Sequence, residues 1–129
     1  MKKIEIAVCG AHMRGLPLNH QLLALGGEFL RETKTLATYR LYVVPHKEPA
    51  RPGLVRDGSS KGEIELEVWA LPIENFGAFM TQIASPLCMG TLWLEGGERV
   101  CGFLCESEGV KGAQEITSFG GWRHYLASL

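Results

Sequence analysis

Alternating apolar and polar positions predict short β-strands along much of the chain. Residues 3–9 and 63–71 show this period of two, and 35–44 is rich in β-branched and aromatic residues. Residues 90–94 and 99–105 predict a hairpin around a turn that contains Gly96 and Gly97. The pattern therefore predicts five or so strands, mostly antiparallel.

Helical spacing of apolar residues predicts two helices, and the C-terminal tail leaves room for a third. Leucines recur at this spacing in 18–25, before a Gly–Gly pair, and a second helix starts at Pro72 and continues to Ile83. Residues 46–60 hold several prolines and glycines and are predicted to be mostly loop. We expect one α+β domain over residues 1–129, a curled sheet or small barrel with two to three flanking helices.

Composition and charge narrow the class of protein. The chain has 129 residues, 46% of them hydrophobic, which suffices for one compact core. Its 13 basic and 14 acidic side chains are scattered, so a nucleic-acid partner is not predicted. No apolar run approaches the roughly 18 residues of a membrane span, and the N-terminus lacks a signal-peptide core. We expect a cytoplasmic protein without a membrane partner, for which an oligomer is possible.

The four cysteines are expected to be reduced and structural. No pair has the C-x-x-C spacing of zinc or redox sites, and Cys101 and Cys105 are too far apart on a strand to bridge. His20, His46 and His124 have no neighbours at metal-ligand spacing and are expected at the surface. The sequence therefore predicts neither a metal site nor a cofactor.

The loop 10–17, between a strand and a helix, is the first candidate site. Backbone N–H groups at a helix start favour an anion, and Arg14 adds a full charge. His12 supplies a proton-transfer group near neutral pH. Asn19 would cap or orient the loop. These residues predict a small carboxylate ligand; the alternative is an ordinary surface loop, since no nucleotide-binding glycine motif is present.

Three further segments carry candidate residues. Glu67 ends a row of alternating glutamates whose usual role is a solvated strand face, but Trp69 on the same face indicates that this end is covered. Arg40, next to Tyr39, offers a planar fork for a carboxylate, and the alternative is an ordinary strand surface. The segment 119–122 predicts either a pocket wall or closure of the core.

Short segments with distinctive residues follow one another along nearly the whole chain. They are GAH at 10–12, GLPLN at 15–19, YRLY at 39–42, PGLVR at 52–56, EVWALP at 67–72, PL at 86–87, GFLCE at 102–106 and FGGWR at 119–123. In this order they resemble the C-terminal domain of allophanate hydrolase, over Ile4 to Leu126. The resemblance implies a γ-glutamylcyclotransferase-like fold, a small mixed barrel with flanking helices.

The resemblance also implies a reaction. In that family an amidase-signature domain removes ammonia from allophanate, and the C-terminal domain is thought to decarboxylate the resulting N-carboxycarbamate without a cofactor. His12 falls on the implied catalytic histidine. The small dicarboxylate substrate would then contact Gly10, Ala11, Arg14, Leu18, Asn19, Tyr39, Arg40, Glu67 and Trp69.

Departures from related families leave alternatives open. No Ser/Lys-bearing glycine-rich amidase region is present, so an amidase-signature partner is expected. The Tyr-Gly-Ser loop of cyclotransferases is replaced by Cys9-Gly10-Ala11-His12, and their acidic residue is replaced around 85–87, which argues against glutamyl cyclisation. The alternatives are a non-catalytic module that binds an amidase, or a cyclotransferase-like enzyme with Glu67 as its base.

Overall fold

A five-stranded mixed sheet and a separate two-stranded hairpin form the framework in the computed structural model, which describes residues 2–129. The strands are β1 (Lys3–Val8), β2 (Glu28–Lys34), β3 (Tyr39–Val43), β4 (Pro52–Arg56), β5 (Glu65–Pro72), β6 (Leu87–Trp93) and β7 (Arg99–Cys105). The larger sheet has the order β2-β5-β1-β7-β6, and β3 pairs with β4.

Three short α-helices flank these strands in the described part of the chain. They are α1 (Asn19–Ala24), α2 (Phe76–Met80) and α3 (Trp122–Ala127). A 3-10 turn, Ile73–Asn75, separates β5 from α2, so the predicted helix from Pro72 begins in this turn instead. Among residues 2–129, no helix is long and apolar enough to span a membrane.

The central strand β1 positions the loop that follows it. It pairs antiparallel with β5, from Lys3 opposite Pro72 to Val8 opposite Glu67, and parallel with β7. Ile6, Ala7 and Val8 are all fully buried, because neighbouring strands and packed side chains cover both faces of β1. The loop after Val8 therefore leaves the sheet from the middle of the core.

The α+β class is confirmed, and the sheet is not closed into a barrel. A single bridge, between Thr35 and Leu94, links the ends of the two edge strands. The large buried side chains meet in one core cluster, to which the hairpin contributes Tyr39 and Leu41 and α3 contributes Trp122. The core thus lies between the open sheet, the hairpin and the helices.

Two strands were not predicted, and a third was predicted too long. Residues 46–60 contain β4, whose first residue, Pro52, opens the strand at a position where its missing N–H is tolerated. The predicted strand 35–44 is ordered as a strand only over Tyr39–Val43, and β2 precedes it. β2 is a mostly polar edge strand with a bulge between Phe29 and Arg31. Its sequence therefore lacks a clear alternation of apolar and polar residues.

Candidate functional site

The loop after β1 is a compact structure whose turns are fixed by hydrogen bonds. The backbone N–H of Leu18 donates to the carbonyl of Ala11 at 2.8 Å, and the side-chain amide of Asn19 donates to the carbonyl of His12 at 2.8 Å. Leu18 and Asn19 are buried and lie at the start of α1. These predicted site residues therefore hold the loop in place.

Gly10 brings this loop against the start of β4. A Cβ atom on Gly10 would lie 2.4 Å from Cδ of Pro52, which is well inside contact distance. Only a glycine fits there without movement of the proline. The close approach places Arg51, which directly precedes Pro52, beside the loop.

The His12 side chain is packed among aromatic rings. It is 5% exposed, stacks on Phe103 with ring centroids 5.1 Å apart, and meets the edge of Phe79 at 5.4 Å. Its Nε2 atom lies 2.7 Å from Oε1 of Gln21 in α1. The aromatic contacts therefore fix the plane of the imidazole ring, and the hydrogen bond to Gln21 fixes its rotation within that plane.

Burial lowers the pKa of His12 below its ordinary value of 6.5, although the hydrogen bond that His12 donates to Gln21 raises it. The positive charge of Arg51 and the nearby His20 lower this pKa further. The imidazole is therefore neutral near pH 7. Because the carbonyl of Gln21 accepts from Nε2, the free lone pair is on Nδ1.

A small cavity of about 20 Å³ lies beside His12. Such a volume holds about one water molecule. Burial raises the pKa of Cys9, which also lines it, to about 12, so this thiol is protonated and is not a nucleophile. The lining residues are Cys9, Gly10, Ala11, His12, Arg51, Pro52, Leu87 and Phe103.

Sequence reasoning missed four of the residues around His12. Gln21 and Phe79 come from α1 and α2, Phe103 comes from β7, and Arg51 lies before β4. Two segments of the family resemblance were available signals: PGLVR, which begins directly after Arg51, and GFLCE, which includes Phe103. No local spacing connects either segment to His12.

The two arginines predicted to hold a carboxylate are engaged elsewhere. Arg14 contacts Glu67, with Nε to Oε2 at 3.2 Å, and also pairs with Glu32. Arg40 binds Asp57 at 2.8 Å and Glu115 at 3.0 Å. Neither arginine lines the cavity at His12. The structure therefore brings neither of them to the histidine.

Tyr39 also lies apart from the cavity. Its side chain is fully buried in the core, and its hydroxyl accepts the backbone N–H of Trp93 at 2.9 Å. This contact ties β3 to the end of β6. In the structure Tyr39 is a packing residue of the core.

Glu67 is the centre of a second cluster. Its side chain is 2% exposed and accepts from the backbone N–H of Arg14 at 2.9 Å and the indole N–H of Trp69 at 3.1 Å. The guanidinium groups of Arg14 and Arg123 donate to its other oxygen at 3.2 and 3.0 Å. The expected covering of Glu67 by the Trp69 end of the strand is confirmed.

These contacts keep the Glu67 carboxylate charged. Burial alone would raise its pKa, but the hydrogen bonds from Arg14, Arg123 and Trp69 outweigh burial and leave the pKa lowered. A carboxylate with a lowered pKa and both oxygens occupied is a poor proton acceptor. Glu67 therefore anchors the loop after β1 to β5 and α3.

A larger cavity of about 330 Å³ adjoins the Glu67 cluster. Met13 and Glu67 line it, and no residue lines both this cavity and the cavity at His12. His124 at its rim binds Glu65 at 2.7 Å. Gly121 and Trp122 also line it while Trp122 is buried, so the 119–122 segment serves both as pocket wall and as core.

Within residues 2–129, no group of three or more His, Cys, Asp or Glu side chains is arranged to hold a metal ion. The four cysteines are free thiols. At His12 a neutral imidazole is available for proton transfer, and Arg51 in the wall of the same cavity is a nearby cation.

Comparison with known families decides the relationship of this chain. The model of the family described as allophanate hydrolase C-terminal domain matches residues 4–127. The chain belongs to this family. The urea amidolyase of Saccharomyces cerevisiae is 44% identical over 130 aligned residues, which cover 98% of this chain and 7% of that protein. This chain thus spans a small part of the length of the curated relative that it matches.

Solved structures agree with this family. Allophanate hydrolase from Kluyveromyces lactis superposes with a TM-score of 0.94 at 39% identity, over 99% of this chain and 22% of that one. A uropathogenic E. coli-specific protein superposes with a TM-score of 0.92 at 35% identity, over 100% and 99% of the two chains. A γ-glutamyl cyclotransferase, 9% identical with a TM-score of 0.60, shares the fold of the allophanate hydrolase C-terminal domain. The expected fold family is confirmed.

Proposed function

We propose that this domain removes CO2 from N-carboxycarbamate, the product that an amidase forms from allophanate during urea breakdown. The observation that carries the proposal is the buried His12, held by Gln21 and facing a cavity in the Gly-Ala-His loop. Relatives named allophanate hydrolase and urea amidolyase support the substrate class. No metal or organic cofactor is required for this reaction.

The decarboxylation requires one proton, delivered to the nitrogen of N-carboxycarbamate. The bond between nitrogen and the departing carboxylate carbon breaks, its electron pair stays on nitrogen, and nitrogen takes a proton, so that CO2 and carbamate are formed. His12 donates this proton. A dianion that binds beside the ring raises the pKa of the imidazole, so substrate binding and protonation of His12 are coupled.

The aromatic side chains around His12 favour conversion of a charged carboxylate into neutral CO2. Phe79 and Phe103 pack on the His12 ring and surround it with apolar surface. A carboxylate in such a site loses hydration, whereas CO2 is neutral and loses little. The substrate is several times larger than the 20 Å³ cavity, so binding requires displacement of a lining side chain such as Leu87.

A coupled assay tests the proposal. An amidase-signature enzyme converts allophanate, and CO2 release is followed with this chain or its His12→Asn variant present. We expect the variant to lose about 100-fold or more of the rate that the chain adds, because general acid catalysis contributes this much. His46→Asn is the matched control, since His46 is exposed and has a positive φ of 61°, which asparagine tolerates.

The outcomes separate a catalyst from a binding module. Circular dichroism establishes that both variants are folded. If His12→Asn accelerates CO2 release as well as the wild type, the proposal is overturned. If the wild-type chain binds the amidase without accelerating CO2 release, the result favours the non-catalytic module instead.

A further inference from the structure

Arg51 differs from every other arginine in residues 2–129. Each of the other arginines contacts a carboxylate or an aromatic ring. Within that range Arg51 makes neither an ion pair with a carboxylate nor a cation–π contact with an aromatic ring. The Arg51 Nε atom is buried and has no hydrogen-bond partner in the same range. The carboxylate-paired arginines are Arg14, Arg31, Arg40 and Arg123, and those over Trp93 are Arg56 and Arg99.

We propose that Arg51 is the carboxylate-binding residue of the His12 site and makes the site selective for small dicarboxylates. The identity of the dicarboxylate rests on the proposed function. The carboxylate site itself stands on the placement of Arg51 in the wall of the His12 cavity.

The unpaired Nε is the first argument. A buried N–H without a partner costs free energy that a ligand can recover by accepting from it. The planar guanidinium presents parallel N–H groups that match the two oxygens of a carboxylate. A carboxylate at this point would also neutralise a charge that no residue in 2–129 neutralises through an ion pair.

The backbone around Arg51 is held in position. The carbonyl of Arg51 accepts from the backbone N–H of Val44 at 3.0 Å, and Pro52 packs against Gly10. The base of the Arg51 side chain is therefore fixed relative to the His12 loop. The long side chain above it remains free to adjust when a ligand enters.

With Arg51 in this position, the two carboxylates of a bound dicarboxylate have different surroundings. One carboxylate pairs with Arg51 and keeps its charge. The other lies against the imidazole of His12 and the ring of Phe103, where a charged group is poorly solvated. We infer that the carboxylate away from Arg51 is the one that leaves as CO2.

Malonate provides a stable probe, because its CH2 group replaces the nitrogen of N-carboxycarbamate. Its binding to the chain is measured by isothermal titration calorimetry, with acetate as the monocarboxylate comparison. We expect Arg51→Met to weaken malonate binding about tenfold or more, the effect of losing a charge-assisted hydrogen-bond pair. Arg51→Lys should recover part of the affinity, since it keeps the charge but not the fork.

Arg99→Met is the matched control, because it removes an arginine that packs on Trp93 instead. It should bind malonate as the wild type does. Equal affinity of Arg51→Met and the wild type overturns the inference, and so does a wild type that binds acetate as well as malonate or binds neither. Chemical unfolding of each variant checks that the binding is measured on folded protein.

Kinetics separate this inference from the proposed function. In the coupled assay Arg51→Met should raise KM more than it lowers kcat, whereas His12→Asn should lower kcat. Malonate binding that depends on Arg51, in a chain that releases no CO2, supports the carboxylate site and rejects the decarboxylase. Decarboxylation with unchanged KM in Arg51→Met rejects the carboxylate site and keeps the decarboxylase.

Discussion

The imidazole Nε2 of His12 donates a hydrogen bond of 2.7 Å to the side-chain carbonyl oxygen of Gln21. Gln21 lies in the first helix and His12 in the loop before it, so this contact fixes the ring relative to α1. It opposes the effect of burial on the pKa of His12. The tautomer and the basicity of the proposed catalytic group therefore depend on one uncharged neighbour.

Replacement of Gln21 by methionine should lower the pKa of His12 further and reduce kcat by about tenfold, the equivalent of one lost hydrogen bond. Without the acceptor, the protonated ring loses its partner in a buried site. An NMR titration of the histidine ring protons measures the pKa. Gln82→Met, at an exposed position, is the control. An unchanged His12 pKa in Gln21→Met would contradict the assigned role.

Stability should fall as the pH is lowered below about 6.5, the ordinary histidine value. The folded-state pKa of His12 is lowered, so in this window the unfolded chain binds a proton that the folded chain does not. The free energy of unfolding should decrease by at most about 1.4 kcal/mol per pH unit, until the folded-state pKa is reached. His12→Asn lacks this contribution. Urea unfolding of both proteins from pH 7.5 to 5 tests the difference, and parallel curves would refute it.

The Glu67→Gln substitution should destabilise the fold by about 2 kcal/mol, because it removes a buried charge that Arg14 and Arg123 share. Both arginines are half-exposed, which keeps the loss below that of a fully buried pair. Glu65→Gln removes an exposed carboxylate bound to His124 and should cost about 0.5 kcal/mol or less. Denaturant unfolding compares the two variants, and equal losses would show that Glu67 is not an anchor.

Alanine at Gly10 should destabilise the protein by about 1–3 kcal/mol through overpacking. Its Cβ would lie 2.4 Å from Cδ of Pro52, so the loop and β4 must separate. Gly58→Ala is the control, since a Cβ there meets no atom within 4 Å and its φ is not positive. Thermal unfolding should show a lower Tm for Gly10→Ala alone. Equal Tm values would mean that the contact is relaxed at no cost.

The local sequence pattern was sufficient to predict strands that have one apolar face and turns that contain characteristic residues such as glycine. β1, β5 and the β6–β7 hairpin follow the predicted alternation closely, and α1 ends before the Gly26–Gly27 pair. β2 and β4 were missed because their stability comes from pairing with β5 and β3, and not from an alternation visible in their own residues. Edge pairing of this kind leaves little trace in the sequence of one strand.

For the site, the Gly-Ala-His loop, its place between a strand and a helix, and the likeness to one family could all be predicted from the order of the residues. The arginine that lies beside His12 could not, because long-range packing selects it. Arg14 is two residues from His12 but turns to Glu67, which is 53 residues away, whereas Arg51 reaches the His12 cavity from the start of the hairpin strand β4. Such contacts join residues far apart in the chain, and they are set by sheet order and by the packing of Pro52 on Gly10, neither of which local spacing specifies.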